Sequence, residues 1–377
     1  MRLGVDARLL SEPLTGIGRY TAEMCRALVQ NPGEFFLYTP KPPLDFRIGA
    51  GATVRAGSCP GRISKMIWSQ TLLPRWAAQD RVDVFWGATH RLPRFLPERI
   101  ARVVTIHDLV WKHAGETMRP TSRLLEWTLM PSAVRLADRI IADSHSTAEQ
   151  LEAEFASARG KIRVVHLGAT PLAHPEPASW LTGIGVCRPY FLFVGTLEPR
   201  KNLQRLLRAF AILPEAVRRS HQFVVAGGKG WGGVDVLTMA TELGIRDDIV
   251  VTGYVSDSQL STLYANAIFL AMPSVYEGFG LPLVEAMSCG VPVLTSNTSS
   301  LPEVAGKAGL LVDPLSEQAI ANGLTTLLGD PQARQALALQ AETTARRFSW
   351  KTAAEQAIAV FEEALHERRT RSTRREQ

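Results

Sequence analysis

The chain has 377 residues, 46% of them hydrophobic and 21% charged, the balance of an ordinary soluble globular protein and enough length for two domains. No run reaches the roughly 18 apolar residues of a membrane span, and the four scattered cysteines form no CxxC pair, which argues against a disulfide frame or a zinc site and for reduced cytosolic thiols. Of the net charge of +6, +4 lies in the last ten residues, "RRTRSTRREQ", so the body lacks the basic face that nucleic acid requires.

The N-terminal "MRLGVDARLL" carries Asp6 and Arg8 where a signal peptide needs an apolar core, and reads as a first strand. Short apolar runs then alternate with helical patterns. Expected strands cover 2–7, 35–40, 82–87, 102–108, 139–144 and 162–168. The stretch 170–189, "TPLAHPEPASWLTGIGVCRP", breaks the rhythm with prolines and small turn residues and has the composition of a linker. Alternation resumes with strands expected at 190–196, 222–228, 248–254, 267–274, 291–297 and 309–314. Fully apolar strands alternating with helices predict parallel sheets covered on both faces. The expected organisation is an α/β pair of doubly wound domains, over 1–175 and 186–347, facing one another across a cleft that takes ligands at the carboxyl ends of the strands. Residues 348–377 are expected to form an amphipathic helix packing back toward the first domain, followed by a disordered basic tail.

The stretch "SVYEGFGLPLVEAM" (274–287) carries the strongest chemical signal. Pro282 suits the first turn of a helix, and Gly278 and Gly280 let backbone approach a ligand closely. Amides of the turn and helix start make an anion site. Glu277 stands at the mouth of that turn, and Glu285 about one turn into the helix. Acceptor-only carboxylates match the paired hydroxyls of sugars. Phosphate-binding amides flanked by two such acids describe a sugar nucleotide. Either acid taken alone reads as an ordinary helix-start or salt-bridged residue. Arg200 and Lys201 are placed at another helix start, where cations are disfavoured unless an anion is to be bound.

The segment "EGFGLPLVEAMSCGVPV", with seven residues between its glutamates, is similar to the signature of glycosyltransferase family 4, retaining enzymes of the GT-B fold that use nucleotide sugars. "FVGTLEPRKNLQRLLRAF", "GYVSDSQLSTLYANA" and "TSNTSSLPEVAG" match the family in the same order. The resemblance spans essentially the whole chain, is densest over 190–315, and extends to bacterial O-antigen and exopolysaccharide mannosyltransferases.

The resemblance implies a role for each matching residue. Glu277 contacts the transferred sugar, and Glu285 holds the ribose hydroxyls. Gly278, Phe279, Gly280 and Leu281 line the sugar and diphosphate, while Arg200 and Lys201 neutralise the diphosphate. Some relatives carry a further arginine where this chain has Thr196, which leaves that work to Arg200. Val255 meets the base edge with its backbone. Asp257 either reads guanine, whose N1–H and 2-amino group are adjacent donors that uracil and adenine lack, or caps a helix. Gly16 and Gly18, in the connection after the first strand, close on the donor phosphate and acceptor. His107, at a strand end, serves at the reacting centre with Asp108 in support, and Ser144 lies at the next strand end, flanked by Asp143 and His145. No metal and no other cofactor is expected.

The resulting expectation is a cytoplasmic hexosyltransferase that moves mannose or a deoxymannose from a GDP-sugar to a saccharide or lipid-linked acceptor in surface polysaccharide (lipopolysaccharide, O-antigen) synthesis. The alternatives are a UDP- or ADP-sugar donor, or a non-catalytic protein that binds sugar nucleotides. A dinucleotide site at "TGIGRY" lacks the full GxGxxG and its ribose acid. The stretches 64–76 and 119–139 mix arginines with Trp, Leu and Met. They suit either a buried helix face or the surface of an anionic membrane at the inner face of the envelope.

Overall fold

A computed structural model describes residues 1–14, 16–44, 51–170, 173–232 and 235–376. Its strands are β1 (Arg2–Asp6), β2 (Glu34–Thr39), β3 (Ala52–Ala56), β4 (Val84–Gly87), β5 (Ala101–Ile106), β6 (Arg139–Ala142) and β7 (Ile162–Val164), followed by β8 (Tyr190–Val194), β9 (Gln222–Ala226), β10 (Ile249–Gly253), β11 (Leu270–Met272), β12 (Val293–Ser296) and β13 (Gly309–Val312). They form two parallel sheets, ordered β3-β2-β1-β4-β5-β6-β7 and β10-β9-β8-β11-β12-β13. Each order reverses direction once, between β1 and β4 and between β8 and β11. Such switch points are where open α/β sheets place their ligands.

Every expected strand has a counterpart, and β3 is an addition. Its "ATVRA" is an edge strand with no buried residue, so it leaves no apolar run to find.

The contacts divide the chain into two compact units. One comprises residues 1–109, 124–168 and 349–377, and the other 110–123 and 169–348. Part of the proline-rich stretch folds onto the second unit: Ser179–Gly183 is helical, and Ser258 Oγ donates to Glu176 Oε1 at 2.9 Å. The second unit's core includes the rings of Phe191, Phe223 and Phe269, with Phe191 stacked on Phe223 at 4.4 Å.

Helix Trp350–Glu376 belongs to the first unit, with Phe361 against Trp86. The expected disorder of the basic tail gives way to helix through Glu376. Two of its arginines have partners: Arg368 reaches Asp138 Oδ2 at 2.8 Å, and Arg371 pairs with both Asp138 and Glu367. Asp138 is almost wholly buried, and its carboxylate also accepts from the Arg102 amide at 2.8 Å. A buried carboxylate demands such counter-ions, and they extend the helix. Among the described residues, no helix is long and apolar enough to cross a membrane.

Candidate active site

In the second unit the chain leaves β8 through Gly195 and Thr196 into a short 3-10 turn, Pro199–Lys201, and then helix Leu203–Ile212. Gly227, at the end of β9, has φ +156°, and a Cβ there would lie 1.9 Å from the Gly195 carbonyl oxygen, so only glycine permits these two strand ends to touch. Beyond β11 lies the turn that carries Glu277. The backbone amide of Val275 donates to the Arg200 carbonyl at 2.8 Å, which ties the two loops together across the switch point.

Glu277 is buried and sits between two cations. Arg200 Nη1 lies 2.5 Å from Oε2, and Lys201 Nζ lies 2.6 Å from Oε1. Burial alone would raise the Glu277 carboxyl; Arg200 and Lys201 overcome it and hold it down at about 2. Lys201 is buried too, and burial together with Arg200 pulls its pKa below the usual lysine value, with Glu277 opposing. Glu198 also pairs with Arg200, at 3.2 Å.

The turn is braced from behind. The amide of Glu277 donates to Ser299 Oγ at 3.1 Å, and the Ser300 hydroxyl lies within hydrogen-bonding distance of the carbonyls of Glu277 (2.9 Å) and Phe279 (3.0 Å). Tyr276 packs with Val110 and Ala114, and its ring stacks on His113 at 5.9 Å. Gly280 caps helix Leu281–Ser288 in the left-handed region (φ +105°), with Pro282 in the first turn. On that helix Glu285 is buried and accepts from Tyr264 Oη at 3.0 Å.

Val255 is half-buried and Asp257 exposed. Asp257 is the first residue of helix Asp257–Asn266 rather than its cap. Ser256 caps it, exchanging hydrogen bonds with Gln259 in a capping box.

The first unit holds His107, just past β5. Both its ring nitrogens face acceptors: Nδ1 lies 2.6 Å from Asp143 Oδ2, and Nε2 lies 3.0 Å from the Ala88 carbonyl. Asp143 thus accepts from the ring, and Asp108, expected in support, adds its charge. Burial pushes the imidazole pKa down, but Asp143, the Ala88 carbonyl and Asp108 outweigh it and hold the pKa above the ordinary 6.5. Acceptors at both ring nitrogens favour the doubly protonated form. The His107 amide donates to His90 Nε2 at 2.9 Å, and His90 Nδ1 lies 3.4 Å from Glu126.

A histidine raised in the fold contributes stability below its ordinary pKa and loses it as pH rises through the higher folded value. Asp143→Asn should bring that loss to lower pH, measured by thermal melts across pH 5–9 and by the His107 ring resonances. An unchanged titration would show that Asp143 does not hold the proton.

Ser144 is buried, and its hydroxyl caps helix His145–Glu154, accepting from the Thr147 amide at 3.1 Å. Gly16 and Gly18 are in the first turn of helix Gly16–Leu28, not in the preceding connection, because the helix starts at the first glycine. Gly16 is exposed and Gly18 buried.

Two family models match the chain. "Glycosyltransferase Family 4" matches residues 14–171 and "Glycosyl transferases group 1" matches 182–344. The chain is 33% identical over 372 residues to O-antigen chain mannosyltransferase B of Escherichia coli, an alignment covering 93% of this chain and 96% of that one. The chain is a family 4 glycosyltransferase. Its fold matches a sucrose-phosphate synthase from Thermosynechococcus elongatus (TM-score 0.80, 20% identity, 97% of this chain and 99% of that one). It also matches HepE of Anabaena solved with UDP and glucose (TM-score 0.72, 19% identity, 95% and 98%). The glycosyltransferase thus has the GT-B fold.

Sequence reasoning did not name Tyr264, Ser299 or His90 as parts of the site. Tyr264 had a usable signal: a tyrosine in a helical stretch whose hydroxyl, once buried, needs a partner. In the glycosyltransferase Tyr264→Phe should leave Glu285 less firmly oriented and weaken nucleotide binding roughly tenfold, the worth of one hydrogen bond to a charged group at its lower end. Titration calorimetry with nucleoside diphosphate checks this; unchanged affinity would leave Tyr264 a packing residue.

Proposed function

We propose that this glycosyltransferase transfers mannose, or a deoxymannose, from a GDP-sugar to a saccharide or lipid-linked saccharide acceptor in surface polysaccharide synthesis, with retention of anomeric configuration. The observation that carries the reading is the buried Glu277 held between Arg200 and Lys201 at the switch point of the second sheet. The mannosyltransferase relative, matched over nearly its whole length, supports the choice of sugar.

In this reading Arg200 and Lys201 receive the diphosphate. As the bond from the sugar C1 to the phosphate oxygen breaks, charge accumulates on the leaving group, and fixed cations in a water-poor site stabilise it. The acceptor oxygen forms its bond to C1 on the same face, and its proton passes to the departing phosphate. Glu277 is poorly suited to covalent attack, since each of its oxygens already faces a cation. It orients sugar hydroxyls instead. Glu285, aligned by Tyr264, holds the ribose, and Val255 meets the base. Imidazolium His107 supplies positive charge in place of a free N–H. Gly278, Phe279, Gly280 and Leu281 form the wall beside the sugar and phosphates. The chemistry needs no metal, so EDTA should leave the rate unchanged; activity lost to EDTA and restored by a divalent ion would overturn that part.

Incubating the protein with GDP-, UDP- and ADP-sugars and measuring release of nucleoside diphosphate tests the donor. Preference for a UDP-sugar, the second reading, would match the nucleotide bound by its structural neighbour. Asp257→Ala refines this. Ser256 is the cap, so the melting temperature should barely move. GDP binding should fall about ten- to a hundredfold and UDP binding little. Equal weakening of both would remove Asp257 from base reading.

A further inference from the structure

His90 and His107 lie side by side, just past the ends of the neighbouring strands β4 and β5 of the first unit, with ring centroids 5.1 Å apart. Both are buried, and each ring meets the backbone of the other's segment. The His107 amide donates to His90 Nε2 at 2.9 Å, while His107 Nε2 lies 3.0 Å from the carbonyl of Ala88, two residues before His90. The His90 amide adds a third link, to the Thr105 carbonyl at 3.1 Å. This clasp holds His90 at φ +55°, in the left-handed region that most side chains avoid.

The two rings differ in what they face. At Nδ1 each meets a carboxylate: Asp143 for His107 at 2.6 Å, and Glu126 for His90 at 3.4 Å. At Nε2 they are opposite, since His107 faces a carbonyl and His90 an amide N–H. A nitrogen that accepts from an N–H carries no proton, so the proton of His90 is on Nδ1 and the ring is neutral. Glu126, on helix Pro120–Leu136, is fixed in turn by Arg91 at 3.3 Å. Burial would raise the Glu126 carboxyl, but His90 and Arg91 outweigh it and hold it below the usual carboxylate range. Among the described residues, the charged and titratable groups around His90 are Glu126, Arg91 and His107, with Asp143, Asp108 and the Tyr20 ring (4.6 Å) behind His107. A second proton on His90 would remove the acceptor of the His107 amide and set two cations side by side.

We propose that His90 is a positioning residue for sugar transfer: its neutral ring, oriented by Glu126, fixes the backbone of His107. The inference rests on the reading that His107 stands at the reacting centre. Nitrogen resonances of the two imidazoles test the protonation directly: His90 should carry one proton, on Nδ1, at a pH where His107 carries two. His90→Leu removes the acceptor and should lower kcat about a hundredfold, the cost of misplacing a group by about 1 Å, with nucleoside diphosphate affinity unchanged. His90→Gln can place its side-chain oxygen where Nε2 stood and cannot titrate. It should recover most of that loss and lack the acid limb of kcat that the native protein shows between about pH 5 and 8. Glu126→Gln can still accept from Nδ1 but no longer favours a second proton on His90, so its acid limb should move to lower pH. A proton found on His90 Nε2, an acid limb unchanged in both glutamine variants, or equal losses in His90→Leu and His90→Gln would overturn the proposal. His107→Gln separates it from the reading beneath it. Turnover that survives His107→Gln removes His107 from the reaction and overturns both, whereas turnover lost there but kept in His90→Leu overturns the positioning role alone.

Discussion

Glu277→Gln should abolish sugar transfer while tightening the binding of the nucleoside diphosphate. The two effects have one origin. Arg200, Lys201 and Glu277 together carry a net charge of +1, because the carboxylate occupies both cations. A glutamine of the same shape leaves +2 on these three residues, and a diphosphate then meets a Lys201 released from Glu277, while Arg200 still pairs with Glu198. Transfer should fall by about 10²- to 10³-fold or more, the usual cost of removing an electrostatic contact at the reacting centre, while GDP or UDP affinity should rise about tenfold. Calorimetric titration beside a transfer assay separates the two. If product affinity falls together with transfer, Glu277 does not compete for the cations. The same carboxylate gives an acid signature. Its folded value of about 2 lies below the ordinary 4.5, so its contribution to stability is present above pH 4.5 and is lost as pH falls toward 2. The glutamine variant should lack that part of the acid unfolding curve.

Lys201→Met should be the more damaging of the two cation substitutions. Lys201 is buried, whereas the Arg200 side chain keeps 23% of its exposure. Breaking a buried ion pair by removing one partner costs roughly 3–5 kcal/mol, because the other charge remains buried. The melting temperature should therefore fall by about 6–12 °C, and turnover by about 10²- to 10³-fold. Arg200→Ala should cut turnover similarly but cost less stability, since its guanidinium already meets water. Thermal melts and steady-state rates on both variants decide this. Equal melting temperatures would mean that Lys201 carries no more of the buried charge than Arg200.

The strands were legible because parallel strands covered on both faces must be apolar along their whole length, and the runs around Val103 or Val224 have no other use. β3 was illegible for the opposite reason: as an exposed edge it has no such requirement. Within the site, the short-range pattern showed the paired glutamates, the glycine turn and the misplaced cations, since each is a local departure from what a helix start or turn prefers. Partners across the fold were hidden. Tyr264 meets Glu285 from a neighbouring helix, and Asp143 meets His107 from the next strand end. No spacing rule connects residues 21 or 36 positions apart; only the stacking of strands and helices does. Asp108, next to His107 in sequence, adds only its charge, while the hydrogen bond runs to Asp143.

The pairing of Asp138 with Arg368 and Arg371 bears on how the molecule is made. The helix that completes the first unit leaves the ribosome only after every segment of the second unit. Until it arrives, the buried carboxylate of Asp138 lacks these counter-ions and the Trp86 ring lacks Phe361. The N-terminal half of the nascent chain therefore cannot finish folding until the residues beyond 348 have emerged, although all seven of its strands are already out. The second unit, whose segments end at residue 348, faces no such delay. A chain halted at that residue should hold a protease-resistant second unit and a digestible first one.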